Sequence, residues 1–365
     1  MKRPVLSIII PVYNAEDSIT NIVESIVSQK FTDWELILVN DKSTDDSIGA
    51  IRDLAKYDSR IVVVNRRSNG GASAARNSGI NKAHGQYLMF FDADDDIKPS
   101  LITRMLKAMQ PSASGLACCG AVYNTYSGAD LVSSTEVGVD PLPHHIKGES
   151  WTTYITKLLG IDGRLYQIWN KIYRTDIIRK HGIRFIEGLN FGEDLLFNLD
   201  YFTYIDHIKF INRPLYIYNM DISGGTYSKS SLVWQNRLVN YQHLIDFTKA
   251  STDSNLNDYL SWIRYNWFYS YALAVASSSR SDAQKTDLLR IACQSGFLGL
   301  TARREVIGTK KYLVQKVVYY TSQNPQTFRR LIQFSVWLKN GNLTGAIWRK
   351  LRNRLWGAKI ILWNN

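Results

Sequence analysis

Cysteine is nearly absent: the 365 residues hold only Cys118, Cys119 and Cys293. Three thiols are too few for a disulfide framework, and no CxxC spacing arranges them for zinc. A disulfide-stapled secreted fold and a zinc module are therefore excluded, and a reducing compartment is the default. Long apolar runs are missing as well. The stretch Val5–Val12 is broken by Pro11 and closed by Tyr13-Asn14, which is shorter than an export signal, and no later segment offers about 18 uninterrupted apolar residues. The expectation is a cytoplasmic protein with no spanning helix.

Acidic residues fail in one place. Residues 301–365 contain thirteen Lys or Arg against a single acid, Glu305, so this segment carries the whole net charge of +12 and the rest of the chain is balanced. Trp337, Trp348, Trp356 and Trp363 are interleaved with the cations. Two readings stand: a solvated helical face that closes the domain, or an indole-anchored basic contact with an anionic membrane surface, peripheral on the inner face of the cell membrane. Nucleic acid is not an expected partner, because no nucleic-acid motif accompanies the charge.

What is present has the pattern of an α/β fold. With 45% hydrophobic residues, the chain has the apolar content of an ordinary globular core and the length for a catalytic domain with an appendage. Short β-rich runs alternate with helical stripes. Leu6–Ile10, Glu35–Asn40, Ile61–Asn65, Gln86–Phe91 and Leu116–Tyr126 read as strands. Ile19–Gln29, the segment opened by Ser43–Asp46, the segment from Gly70-Gly71 to Ala83, and Pro99–Met109 read as helices. Gly128–Gly148, with Pro141, Pro143 and His144-His145, has loop chemistry. Trp151–Leu159 and Asp194–Phe202 read as helices around a mixed region. From about Ser230 the pattern becomes long, aromatic and helical, as in Trp262–Ala276, so a boundary is placed between 228 and 229.

Chemistry gathers where strands end, which is where open α/β sheets place ligands. Asp92, Asp94, Asp95 and Asp96 put four carboxylates into five residues directly after an apolar strand. Such crowding is unfavourable unless a cation or hydrogen-bond donors neutralise it. Carboxylates two residues apart suit one hard divalent ion that keeps positions open for phosphate oxygens; a solvated acidic turn capping the next helix is the plainer reading. Asp41 ends the second strand, and it suits either a ribose or base contact or a helix cap. Arg76 follows the small residues Gly70–Ala75, and it suits either a phosphate or base contact or a structural ion pair.

Together these segments resemble glycosyltransferase family 2, the inverting transferases of GT-A fold. The resemblance runs in order through Ser7–Asn14, Leu38–Asp45, Asn69-Gly70-Gly71 with Ala75-Arg76-Asn77, and Leu88–Asp95, over about the first 110 residues. It implies a Rossmann-like mixed sheet flanked by helices, with residues 1–228 as catalytic domain and a helical C-terminal extension over 229–365. Pro11 and Tyr13 would line the nucleotide pocket, Asp41 would meet the uracil imide, and Arg76 would lie near base or diphosphate. Asp92 and Ala93 would approach ribose and donor sugar, and Asp94 would coordinate Mn²⁺ or Mg²⁺. The family's general base is commonly the Asp of a Glu-Asp pair opening a helix, which points to Asp194, with Glu193 as rival or donor contact. Trp169 and Asn170 lie in a segment similar to many bacterial members, and either face substrate or pack in the core. Ser223–Ser228 reads as a surface loop or a lid, and His144-His145 as loop residues. The Gln-x-x-Arg-Trp motif of processive members is missing, so one sugar per encounter is expected. The implied activity is transfer from a nucleotide sugar, UDP-linked, to a glycan or lipid-linked acceptor in surface polysaccharide assembly. The alternative is a catalytically silent module that binds a nucleotide sugar.

Overall fold

The computed structural model describes residues 3–110, 115–138, 150–162, 165–189, 191–221, 234–278, 280–295 and 297, with isolated positions at 324, 326, 330 and 332. The boundary expected between 228 and 229, the segment Ser223–Ser228, the pair His144-His145 and nearly all of the basic tail 301–365 lie outside the described residues. By compactness the chain divides into one unit of residues 1–142 with 165–223 and a second of 143–164 with 224–365.

The first unit begins with β1 (Leu6–Val12), α1 (Ile19–Val27), β2 (Trp34–Asn40), α2 (Ser47–Tyr57), β3 (Ile61–Asn65), α3 (Gly71–Lys82) and β4 (Tyr87–Phe90). It continues through β5 (Asp96–Ile97), α4 (Leu101–Ala108), β6 (Leu116–Ser127) and β7 (Asp130–Val137). Among the described residues the strands form one mixed sheet in the order β3-β2-β1-β4, then β8 (Lys171–Arg174), β6, β9 (Ile208–Asp221) and β5, with β7 paired to β6. The first four strands are parallel, because each returns through a helix. Helices on both faces explain why β1 and β2 are apolar almost throughout and buried almost throughout. The helices α6 (Thr175–Lys180) and α7 (Glu193–Phe202) also belong to this unit.

Two features of this unit differ from the sequence pattern. Residues 130–137, expected within a loop, form β7. Its side chains are mostly polar and exposed, so no hydrophobic alternation marks it, and only backbone pairing with β6 makes it a strand. The long β9 is likewise unmarked. Its Pro214 falls where the β6–β9 register shifts, which is where a strand tolerates a residue that lacks an N–H.

In the second unit, α5 (Trp151–Asp162), α8 (Trp234–Thr248), α9 (Leu256–Ser277) and α10 (Asp282–Gln294) pack around aromatic side chains. Trp234 meets Phe268, Tyr271 and Phe297 at centroid distances of 5.8, 4.8 and 5.0 Å, and the Trp262 indole donates to the Gly160 carbonyl at 2.9 Å.

One close approach fixes α3 on the sheet. A Cβ added at Gly79 would lie 2.4 Å from Cγ2 of Ile9 in the buried β1. Gly79→Ala should therefore destabilise the protein by about 1–3 kcal/mol through overpacking. That outweighs the gain of roughly 1 kcal/mol in helix propensity. The check is a lowered urea midpoint with an unchanged slope; an unchanged midpoint would mean the helix yields freely.

Candidate active site

The parallel strands deliver their polar ends to one edge. Backbone in the left-handed region occurs there at Asn14 after β1, Lys42 after β2, Gly71 at the start of α3, and Gly192 just before α7. The side-chain oxygen of Asn14 accepts from the Thr44 N–H at 2.8 Å, which ties the end of β1 to the loop after β2. Pro11 is half-buried, and Tyr13 stands 51% exposed at the mouth.

Asp41 is buried among protein donors. Its carboxylate accepts from the N–H groups of Gly70 and Gly71 at 3.1 and 2.7 Å and pairs with the Arg66 guanidinium at 2.6 Å. The capping role that its residue type suggests is thus realised across the fold: Asp41 neutralises the N-terminus of α3 rather than that of the helix next to it in sequence. Beside it lies a cleft of about 120 Å³ lined by Gly70, Gly71, Ala72, Ser73, Leu189 and Glu193. The Ser73 hydroxyl is buried there without a hydrogen-bond partner.

The acidic run divides its carboxylates among different tasks. Asp95 is 2% exposed and accepts from the Tyr216 hydroxyl at 2.7 Å and the Asn219 N–H at 2.8 Å. The same Tyr216 hydroxyl accepts from the Asp92 N–H at 3.2 Å, and the Asn219 side chain donates to the Asp94 carbonyl at 3.2 Å. β9 therefore clamps the loop, and the pairing of β5 with β9 extends the clamp. Burial, then the charges of Asp92 and Asp94, pushes the Asp95 carboxyl well above its usual range. Ala93 is packed inward. Asp94 turns to solvent, with its carboxyl raised by desolvation and by the Asp92 charge.

Among the described residues no three His, Cys, Asp or Glu side chains are grouped to enclose a metal. A hard ion that bridges a diphosphate needs no such cage, because one or two carboxylates hold it and phosphate and water oxygens complete its shell. An outward carboxylate that meets no cation among the described residues, raised by desolvation and then by the Asp92 charge, is a donor of that kind, so Asp94 fits a divalent ion.

Arg76 joins the remaining acids. It is 4% exposed, with Nη2 at 2.7 Å from Asp92 and Nη1 at 3.2 Å from Asp194 and 3.8 Å from Glu193. Its Nε is buried without a partner. Burial opposes the Arg76 charge, but the three carboxylates outweigh it and raise its pKa. Burial likewise lifts Asp194; Arg76 pulls it back, Glu193 and Asp92 add to the rise, and the carboxyl is pushed up to about 7. Glu193 is also raised, by burial first. Both acids open α7 directly after the left-handed Gly192, where the helix dipole favours them.

The structure thus gathers Arg76, Asp92, Glu193 and Asp194, and holds Asp41 in a separate network with Arg66. Trp169 is 3% exposed and stacks on Tyr216 and Tyr218 at centroid distances of 4.4 and 5.6 Å, so it reaches the acidic loop through the Tyr216 ring. Asn170 is buried, donating to the Cys119 carbonyl at 3.2 Å. Tyr216, Asn219 and Arg66 carried no motif signal. The only hint was that a buried carboxylate needs donors from somewhere.

The sheet order, the flanking helices and the acidic edge define the chain as a glycosyltransferase of GT-A fold. The architecture matches the crystal structure of S. aureus TarS 1-349 in complex with UDP-GlcNAc, with a TM-score of 0.62 at 17% identity over 92% of each chain. The family model for glycosyl transferase family 2 matches residues 7–182. The uncharacterized glycosyltransferase YibD of Escherichia coli K12 is 32% identical over 267 residues, covering 69% of this chain and 71% of that protein. The putative teichuronic acid biosynthesis glycosyltransferase TuaG of Bacillus subtilis is 35% identical over 129 residues, 35% of this chain and 51% of its own length. The chain belongs to glycosyltransferase family 2.

The raised Asp194 carboxyl has a consequence for stability. It titrates higher folded than unfolded, so folding takes up a proton between about pH 4 and 7 and stability falls as pH rises through that window. Asp194→Asn removes this loss. Its melting temperature should exceed that of the parent by more at pH 8 than at pH 5, and a difference that does not grow with pH would show that the carboxyl is not raised.

Proposed function

We propose that this protein is an inverting, metal-dependent glycosyltransferase that moves a single sugar from a UDP-linked donor to a hydroxyl of a glycan or lipid-linked acceptor in surface polysaccharide assembly. The observation that carries this reading is the convergence of Asp92, Glu193 and Asp194 on Arg76, next to an outward Asp94, at the C-terminal edge of the parallel strands. The UDP-GlcNAc in the TarS crystal supports the donor class, and the teichuronic acid role printed for TuaG supports a surface-polymer acceptor.

In this reading residues 1–228 do the chemistry. Pro11 and Tyr13 flank the base, Asp41 takes its imide, and Asp92 with Ala93 faces the ribose and donor sugar. Trp169 supports that face through Tyr216. Asp94 would hold Mn²⁺ or Mg²⁺, which supplies Lewis-acid stabilisation of the departing diphosphate. Asp194 accepts the proton of the acceptor hydroxyl as that oxygen bonds to the anomeric carbon. The bond from this carbon to the diphosphate oxygen breaks on the opposite face, and its electron pair leaves with the nucleoside diphosphate. Glu193 contacts donor hydroxyls. A carboxyl raised to about 7 suits this work, since a base operates best with a pKa near the working pH.

The test is a donor panel of UDP-, GDP- and dTDP-sugars with Mn²⁺, scored by release of nucleoside diphosphate. One donor should be turned over, with kcat/KM falling below about pH 7 as Asp194 takes up its proton. Asp194→Asn should lower kcat by about 10²–10⁴. Asp94→Ala should remove metal-dependent UDP binding. Metal-independent binding, or full activity in Asp194→Asn, would overturn the mechanism.

In this reading residues 229–365, through their basic tail, hold the enzyme at an anionic membrane surface on the cytoplasmic side, where a lipid-linked acceptor accumulates. Among the described residues no helix is long and apolar enough to cross a membrane. Deleting 330–365 should abolish co-sedimentation with anionic liposomes while leaving activity on a soluble acceptor analogue, and unchanged sedimentation would refute the placement.

A further inference from the structure

The resemblance to the family places Arg76 near the base or the diphosphate, but its terminal nitrogens are directed elsewhere. Nη2 is held by Asp92 and Nη1 by Asp194 and Glu193, across 118 residues of sequence. We propose that Arg76 is a positioning residue for the general base: its guanidinium, fixed between Asp92 and Asp194, orients the base carboxylate and joins it to the donor-side acid. The proposal rests on the assignment of Asp194 as base.

Three observations support it. The next residue on α3, Asn77, exchanges a pair of hydrogen bonds with the backbone of Phe185, each 2.9 Å, and donates to Glu187 at 3.0 Å. Arg76 and Asn77 thus hold both the first turn of α7 and the segment leading to it. The Phe185 ring lies 5.4 Å from the guanidinium carbon, which limits where the Arg76 side chain can go. Asp194 also has an electrostatic need for this partner. The groups acting on it are Glu193 on its own helix, Asp92 after β4, Lys171 and the Tyr173 hydroxyl on β8, and Arg76. Glu193 and Asp92 disfavour its charge. Lys171 favours it, but the Lys171 ammonium is bonded to Asn170 at 2.8 Å and to the Gln167 carbonyl. Among the described residues Arg76 is the cation in direct contact, and the planar fork lets one side chain hold two separate carboxylates.

The experiment compares Arg76→Gln and Arg76→Lys with the parent in three measurements: UDP affinity in Mn²⁺ by calorimetry, the pH profile of kcat, and the carboxyl ¹³C titration of Asp194, identified by its loss in Asp194→Asn. Arg76→Gln should bind UDP within about threefold of the parent. Its Asp194 midpoint and the acid limb of kcat should rise together by a pH unit or more, so kcat at pH 7 falls at least about fivefold and recovers toward pH 9. Arg76→Lys should keep the midpoint near that of the parent and lose kcat at every pH, because one ammonium cannot hold both acids in place. If Arg76→Gln does not fold, this pH-independent loss in Arg76→Lys with UDP affinity kept decides the matter. An unmoved Asp194 midpoint, or UDP affinity lost more than tenfold with an unmoved acid limb, would overturn the proposal and return Arg76 to the nucleotide. Full kcat in Asp194→Asn would instead refute the base assignment, and the carboxyl titration would still report whether Arg76 governs Asp194.

Discussion

A guanidinium cannot remain charged at 4% exposure without counter-charges close by, and at Arg76 that requirement organises the site. Three carboxylates from two distant stretches of chain converge on one side chain, and none would be comfortable in so dry a place without it. Burial lifts Asp194 and Glu193, Asp92 adds to the lift of both and Glu193 to that of Asp194, and the shared cation keeps Asp194 ionisable near neutrality. One arrangement therefore supplies both the fixed geometry and the proton affinity that a base working near neutral pH needs.

The acidic run follows the same economy of charge with a different solution. Four carboxylates in five residues are tolerated because each has a separate environment: Asp92 on Arg76, Asp95 buried under Tyr216 and Asn219, Asp94 in solvent, and Asp96 at the start of β5. The residue that fixes the loop is therefore not the one turned to solvent. Asp95 holds the backbone and leaves Asp94 outward, as the proposed metal contact requires.

How far the sequence could be read depended on how local each interaction is. β1, β2, β3 and β4 and the helices between them are legible because burial on both faces writes continuous apolar runs, and helical stripes separate them. Asp41, Asp92 and Asp94 are legible as candidates because they follow strand ends, and Arg76 because it follows the small residues that open α3, all in a recognisable order. β7 is not legible, since polar exposed residues become a strand only through a partner strand. The roles of Tyr216 and Asn219 are not legible either, because they reach the acidic loop from more than 120 residues away.

By itself the sequence determined the family, the α/β class and the set of chemically able residues, because residue type and spacing along one strand or helix are properties of the local chain. Which acid is held by which cation was decided only by tertiary structure. Asp41 meets Arg66 and the N-terminus of α3, and Asp194 meets Arg76 through 118 intervening residues. Coulomb energy depends on distance in space and on burial, and neither is written in the order of the chain.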